Sequence, residues 1–305
     1  VALMLTYIVQ PVWVRRAPSA RTAEGTRLRE TVARLDGFAP RDHDHVENLD
    51  AAAKFLSEQM RSAGATVEVQ EYRVGARTYR NVIGSFGPDQ GERLVVGAHY
   101  DVFGGFSGAD DNTSGVAALL ALAESLGKKA PAKRVDLVAY TLEEPPYFRT
   151  KQMGSWVHAN SLRDQGVKLV AMISIEMVGY FSDKPGSQNY PAPGMGSLYG
   201  DRADFIAVVG NVEDPGTVRK VKAAMAAAAD LPVNSINAPR SIEGIDFSDH
   251  SNYWDAGYRA VMVTDTSFFR NPHYHTADDR PATLDYDRMA VVVQQLEAAV
   301  RALAR

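Results

Sequence analysis

The sequence predicts an α/β fold, a three-layer sandwich with a mostly parallel central sheet and helices on both faces. Three observations predict it. Short continuous apolar runs recur at residues 94–98, 135–140, 169–175, 205–209 and 260–263, as in strands covered on both sides. Segments of helical character separate most of these runs. The length of 305 residues suits one large domain, at a size where folding buries about three quarters of the chain's surface.

The elements follow in chain order. Residues 1–14 are mostly apolar, broken by Thr6, Gln10 and Pro11, and Arg15 and Arg16 come next. Fourteen residues are too few to span a bilayer. Residues 1–21 therefore read as the remnant of a signal peptide or membrane anchor, or as an apolar arm packed on the domain; the sequence leaves both open. A single domain is expected over residues 22–305. Residues 22–35 have helical character, and residues 41–50 are polar and loop-like. Asp50 is the expected N-cap of a helix that Gly64 ends. Residues 67–74 alternate apolar and polar side chains, as a half-buried strand does, and residues 81–86 form a second short strand. Helices are expected at residues 115–126, 154–162 and 217–229. The stretch 181–200 carries proline and glycine and reads as a long surface loop. The last helix has apolar residues at Met289, Val292, Val293, Leu296, Val300 and Leu303, which is helical spacing.

Composition removes options. With no cysteine there is no disulfide, thiol nucleophile, iron–sulfur cluster or thiolate zinc site. Any transition metal must be held by histidine and carboxylate. Thirty-three basic and 37 acidic side chains give a net charge of −4 with no basic block, so a nucleic-acid partner has no electrostatic support.

Acids and histidines gather where the runs end. His99 and Asp101 lie just past residues 94–98, and Asp110 and Asp111 precede the helix at 115. Glu143 and Glu144 follow the run ending near Tyr140, Glu176 follows residues 169–175, and His273 and His275 follow the last run. The carboxyl ends of parallel strands share one rim, where ligand crevices form. Five separate segments thus deliver acids or imidazoles to one place. Histidine and carboxylate without thiolate suit catalytic zinc. A two-metal site needs a bridging carboxylate, further ligands on each side and a base that is not a ligand. Spacing alone does not say which acid does which task.

His99-Tyr-Asp101, Gly108-Ala-Asp-Asp-Asn-Thr-Ser-Gly115, Glu143-Glu144, Glu176-Met, Ser248-Asp-His250 and Tyr274-His-Thr276 resemble the co-catalytic zinc exopeptidases. That group includes aminopeptidase S, the bacterial leucyl aminopeptidase and glutamate carboxypeptidase. The resemblance runs in order from about Asn48 to the C-terminus. It implies the phosphorylase/hydrolase-like α/β sandwich, a peptide substrate and two zinc ions. His99 and Glu176 would bind one zinc, Glu144 and His275 the other, and Asp111 would bridge both. Glu143 would be the general base, and Asp101 would hydrogen-bond the far nitrogen of His99. Tyr274 would stabilise the oxyanion, and the Asp111–Asn112 peptide would be cis. Two departures stand out. Glu176 occupies a position that is aspartate in the best-known aminopeptidases. Pro145-Pro-Tyr-Phe-Arg-Thr150 replaces a glycine-containing turn, which leaves substrate specificity open.

Other residues carry plainer readings. Asp110 reads as a helix N-terminal carboxylate, His43 and His45 as surface histidines, and His158 as structural. Asp249 and His250 divide between a substrate-pocket role and a structural one. Arg149 and Arg270 could pair with a substrate carboxylate, but such arginines more often pair with protein acids. No nucleophile elbow, Walker loop or H-E-x-x-H motif occurs. Two rivals remain: a glutaminyl cyclase-like acyltransferase with a single zinc, and a non-catalytic binding module. A carboxypeptidase or dipeptidase of the same fold, the native metal and the oligomeric state are also undecided. The apolar arm alone supports an extracytoplasmic location and a membrane tether.

Overall fold

The computed structural model describes residues 2–14, 17 and 22–305. Arg15 and Arg16, and all but Ala17 of residues 15–21, lie outside the described residues. Eight strands form one sheet: β1 (Thr66–Val74), β2 (Arg77–Phe86), β3 (Arg93–His99), β4 (Arg134–Tyr140), β5 (Leu169–Glu176), β6 (Ile206–Gly210), β7 (Val233–Asn237) and β8 (Ala260–Thr264). Their order is β1-β2-β4-β3-β5-β8-β6-β7. The helices are α1 (Ala2–Val9), α2 (Thr22–Asp36), α3 (Val46–Ser62), α4 (Gly115–Lys128), α5 (Gly154–Asp164), α6 (Met195–Tyr199), α7 (Pro215–Ala228), α8 (His250–Asp255) and α9 (Tyr286–Leu303).

The sandwich is three-layered, and strand alternation builds its two cores. Leu94, Val96 and Ala98 of β3 and Ala171, Ile173 and Ile175 of β5 join the core under α2, α3, α4, α7 and α9. Val95 and Met172, one residue out of phase, join the second core with Tyr253 and Trp254 of α8. Each central strand is covered on both faces, which is why its sequence reads as a continuous apolar run.

The sheet is mixed. β4, β3, β5 and β8 run parallel at its centre, but β2 is antiparallel to β4 and β6 is antiparallel to β8. The physical reason for β6 lies in residues 177–205. They contain only the five-residue α6 and supply no crossover helix, so the chain re-enters the sheet from the rim it has just left. β7, whose five residues include Asn234, Ser235 and Asn237, lacks the apolar pattern and was not expected. α3 begins at Val46 with His45 at its N-cap position. Asp50 therefore lies inside the helix, where its carboxylate pairs with Arg80 of β2.

His158 of α5 is structural, as its sequence context suggests. It is fully enclosed, shares a 2.5 Å hydrogen bond with the Tyr253 hydroxyl, and burial pulls its pKa down to about 4. In the unfolded chain the imidazole titrates near 6.5. The unfolded state thus binds a proton between those values that the folded state refuses. Stability is complete above that window and is lost as pH falls through it, by about 3 kcal/mol. His158→Gln is expected to flatten the fall in urea-unfolding stability between pH 6.5 and pH 4. An unchanged slope would show that His158 does not carry the effect.

Candidate metal centre

Four of the site residues are set by where their strands stop. β3 ends at His99, β4 leads through Thr141 and Leu142 to Glu143 and Glu144, and β5 ends at Glu176. Leu142, Met177 and His275 all adopt left-handed φ, of 61°, 49° and 55°. Such backbone costs non-glycine residues on the order of 1–3 kcal/mol and persists only where the surroundings hold it. Here it bends the chain sharply beside the acids and turns His275 toward them. The Asp111–Asn112 peptide is cis, as the resemblance implies.

The expected ligands converge. His99 Nδ1 donates to the backbone carbonyl of Asp101 at 3.1 Å, which turns Nε2 toward the acids. Nε2 lies 3.4 Å from Asp111 Oδ1 and 3.4 Å from Glu176 Oε2. His275 Nε2 lies 3.2 Å from Asp111 Oδ2 and 3.1 Å from Glu144 Oε2. His99, Asp111 and Glu144 bring one ligand atom each within 4.8 Å of one another, the only such group of three among the described residues. The expectation of two zinc ions is met to that extent: one metal-binding cluster is present.

The donor set fits a divalent cation. Glu144 Oε1 is buried with no hydrogen-bond partner among the described residues. Burial raises the pKa of Glu143 well above the usual range, with Glu176 and Glu144 adding to the rise against the pull of His99. Burial and then Asp111 push Glu144 up to about 8, and burial likewise raises Glu176. Asp111 is the exception. Burial alone would raise it, but hydrogen bonds from His275 and His99 hold it below the ordinary carboxylate range. Crowded carboxylates of this kind release their protons when a cation takes their place.

Several expected roles are refined. The carboxylate of Asp101 stands 3.6 Å from His99 Nδ1, where it favours the protonated ring, and it also accepts from the backbone N–H groups of Glu143 and Glu144, at 3.2 and 3.1 Å. It positions the Glu-Glu pair, while its carbonyl fixes the His99 tautomer. Asp110 is not a simple helix-start carboxylate. It accepts from Gly179 N at 2.9 Å and from Asn271 Nδ2 at 2.7 Å, a strut inside the molecule. Asp249 and His250 are fully enclosed and neither lines the cleft, which favours the structural one of their two readings. His250 Nε2 donates to the Ile245 carbonyl at 2.8 Å, and burial pushes the Asp249 carboxyl up to about 7.

Arg149 pairs with the acid Asp246, as its plainer reading has it, whereas Arg270 is buried against Gln188 Oε1 and the Phe205 carbonyl, at 2.9 Å each. His45 pairs with its neighbour Asp42 at 2.8 Å, and His273 joins no ligand group.

Sequence reasoning missed the supports. Asp279 accepts from the backbone N–H groups of Asp110 and Asp111, at 2.9 and 3.1 Å, and so holds the turn that presents Asp111. Asn112 bonds Ile175 O at 2.8 Å and Met177 N at 3.0 Å, clamping both neighbours of Glu176. Ser248 Oγ donates to Glu176 Oε2 at 2.6 Å. The His275 imidazole is sandwiched between Phe103, with centroids 4.0 Å apart and planes 2° apart, and Tyr274, at 3.8 Å and 15°. Gly108 permits the approach of this turn: its φ is 58°, and a Cβ there would collide with Asp111 O and Val102.

A cleft of about 180 Å³ opens over Asp111, Glu143, Glu144, Glu176 and His275. Its floor is formed by β6, β7 and β8, with Ala207, Val209, Ile236 and Met262 lining it. Phe148, Tyr190, Phe205, Phe247, Phe268 and Tyr274 wall it. Pro145 and Phe148, from the segment that departs from the family pattern, lie in that wall.

Comparison with known proteins agrees with this geometry. The model of peptidase family M28 matches residues 81–300. The chain is 46% identical over 301 residues to the uncharacterized protein YfbL of Escherichia coli K12, covering 95% of this chain and 92% of that protein. The crystal structure of the Legionella pneumophila LapA aminopeptidase superposes with a TM-score of 0.73 at 18% identity, covering 95% of this chain and 77% of that one. The glutaminyl cyclase of Bacteroides thetaiotaomicron bound to N-acetylhistamine superposes with a TM-score of 0.70 at 19% identity, covering 92% and 99%. At those identities the two structures share the fold. The family match across most of the domain, together with the metal-binding cluster inside it, identifies the chain as a member of peptidase family M28 and a metallo-exopeptidase.

Proposed function

We propose that the protein is an aminopeptidase that works with two zinc ions and removes N-terminal residues from peptides. His99 and Glu176 would hold one zinc, His275 and Glu144 the other, and Asp111 both. The observation that carries this reading is the division of Asp111: Oδ1 faces His99 and Oδ2 faces His275, each beside its own glutamate. When bound, the metal supplies Lewis acidity that polarises the scissile carbonyl and makes water acidic.

The chain's own residues do the rest. Glu143 lines the cleft and is no member of the His99–Asp111–Glu144 group, as a base must be. It takes a proton from the attacking water as oxygen bonds to the carbonyl carbon. It returns that proton to the nitrogen as the C–N bond breaks. Its raised affinity for protons, from burial beside Glu176 and Glu144, suits both transfers. Tyr274 lines the same cleft, and burial followed by the charge of Asp111 makes its phenol hold its proton more tightly. That supports a hydrogen bond from Tyr274 to the carbonyl oxygen as charge develops there. The apolar, aromatic walls support a large apolar residue on the N-terminal side of the bond. An extracytoplasmic location is part of the proposal and is supported by the apolar arm alone.

A single-zinc glutaminyl cyclase-like acyltransferase is the second reading. The lone group of three ligands and the fold shared with glutaminyl cyclases favour it. A panel of aminoacyl-anilides, N-blocked dipeptides and glutaminyl peptides, assayed with added zinc, separates the two. The aminopeptidase reading expects release of anilide from free-amine leucine and phenylalanine substrates and none from blocked ones. Cyclisation of glutaminyl peptides without anilide release would establish the second reading, and cleavage confined to blocked substrates would overturn the aminopeptidase direction.

A further inference from the structure

The free edge of the sheet at β7 carries the N-terminal arm, and polar bonds fasten it there. Asn237 Nδ2 donates to the Tyr7 carbonyl at 3.1 Å. Ser235 Oγ and Lys222 Nζ donate to the Val9 carbonyl, at 2.7 and 2.6 Å. Arg219 Nε donates to Gln10 Oε1 at 2.6 Å, Tyr7 donates its hydroxyl to the Val212 carbonyl, and Ala17 N reaches Ala227 O at 3.1 Å. The arm therefore runs from β7 along α7.

What the arm leaves outside is apolar. Trp13 is 89% exposed, Tyr7 40% and Val14 36%. Val212, whose carbonyl holds Tyr7, is also exposed, and so is Leu198. Leu198 precedes Tyr199, whose hydroxyl donates to the backbone carbonyl of Ser235, the residue whose side chain holds the arm. Among the described residues, the remaining large exposed hydrophobic is Val69, on the opposite edge strand β1. Soluble surfaces carry such residues singly, and a cluster marks an interaction site.

The chemistry of the cluster points to one occupant. Residues 1–14 contain no charged side chain, and Arg15 and Arg16 follow in the sequence. Arg219 and Lys220 are exposed on α7 beside the arm, with Glu213 offsetting part of their charge. An exposed tryptophan and tyrosine, aliphatic neighbours and flanking basic residues are the composition of a segment that rests in the lipid headgroup region. No helix among the described residues is long and apolar enough to cross a membrane.

We propose that the β7 edge with its arm is a membrane-contact surface. Trp13, Tyr7, Val14 and Leu198 enter the interface of an anionic bilayer, and Arg219 and Lys220 face its headgroups. The surface lies outside the metal cluster, so the proposal stands or falls apart from the catalytic reading.

The test is co-sedimentation of the whole chain with phosphatidylcholine vesicles containing phosphatidylglycerol. The wild-type protein is expected to sediment with them, and salt is expected to weaken the binding. The double variant W13S/L198S is expected to bind at least about tenfold more weakly while releasing a small soluble substrate at the wild-type rate. Absence of wild-type binding, or equal binding by the variant, would overturn the proposal. So would a concentration-dependent dimer that the variant abolishes without any vesicle binding, because a second copy would then be the occupant.

Discussion

Replacing Glu143 by glutamine is expected to lower kcat by a factor on the order of 10³–10⁴ while leaving the fold and the metal content intact. The substitution keeps the shape of the side chain and removes only its capacity to carry a proton. Glu143 is tied to Asp101 through its backbone N–H, which glutamine retains. Its side chain approaches His99 Nε2 no closer than 3.9 Å, farther than Asp111 or Glu176, as suits a base and not a ligand. A loss of that size corresponds to roughly 4–5 kcal/mol of transition-state stabilisation. Single-turnover kinetics beside elemental analysis would check it. Full activity in the variant would remove Glu143 from the mechanism, and loss of metal with loss of activity would make it a ligand instead.

Replacing Asp111 by alanine is expected to have a different signature, in which metal and activity fall together. Its two oxygens are within 3.4 Å of one histidine and 3.2 Å of the other, so a single deletion removes a donor from both sides of the cluster. The loss also leaves a buried and a half-buried histidine-glutamate pair without the shared charge between them, and breaking one member of a buried charged set is strongly unfavourable. Zinc added to the wild-type protein should raise its Tm, because binding to the folded state alone stabilises it. In the Asp111→Ala variant the zinc-dependent rise should be largely absent. A variant that retains the wild-type metal content and the same zinc-dependent Tm would show that Asp111 is not a shared ligand.

Parts of this molecule were legible before folding because one local cause dominates them. The central strands read as apolar runs because helices cover both faces, and His99, Glu144 and Glu176 stand at or just past the ends of such runs, whereas Asp111 and His275 lie farther along the connections. β7 was not legible. Its Ser235 and Asn237 are buried polar residues whose task is to hold the arm, so the strand lacks an apolar pattern. The direction of β6 was not legible either, since it depends on the missing crossover between Glu176 and Ile206. The supports of the site are tertiary in the same sense. Asp279 holds the backbone of Asp110 and Asp111 from 169 and 168 residues away, and no local pattern announces that bond. Asp249 and His250, whose residue types left a pocket role and a structural role open, stand at the start of α8 and are enclosed outside the cleft.

The apolar cleft connects these points to specificity. It lies over β6, β7 and β8, with Ala207, Val209, Ile236 and Met262 in its lining. The same irregular stretch that reverses β6 supplies Gln188, Tyr190 and Met195 to the wall. Topology and cleft thus share one origin, the chain between Glu176 and Ile206.

The central claim is that Asp111 is shared by two metal ions. Elemental analysis of the metal-free chain after titration with zinc and removal of excess tests it most directly. The account predicts two zinc ions per chain, with activity complete only at the second; saturation and full activity at one zinc per chain would contradict it.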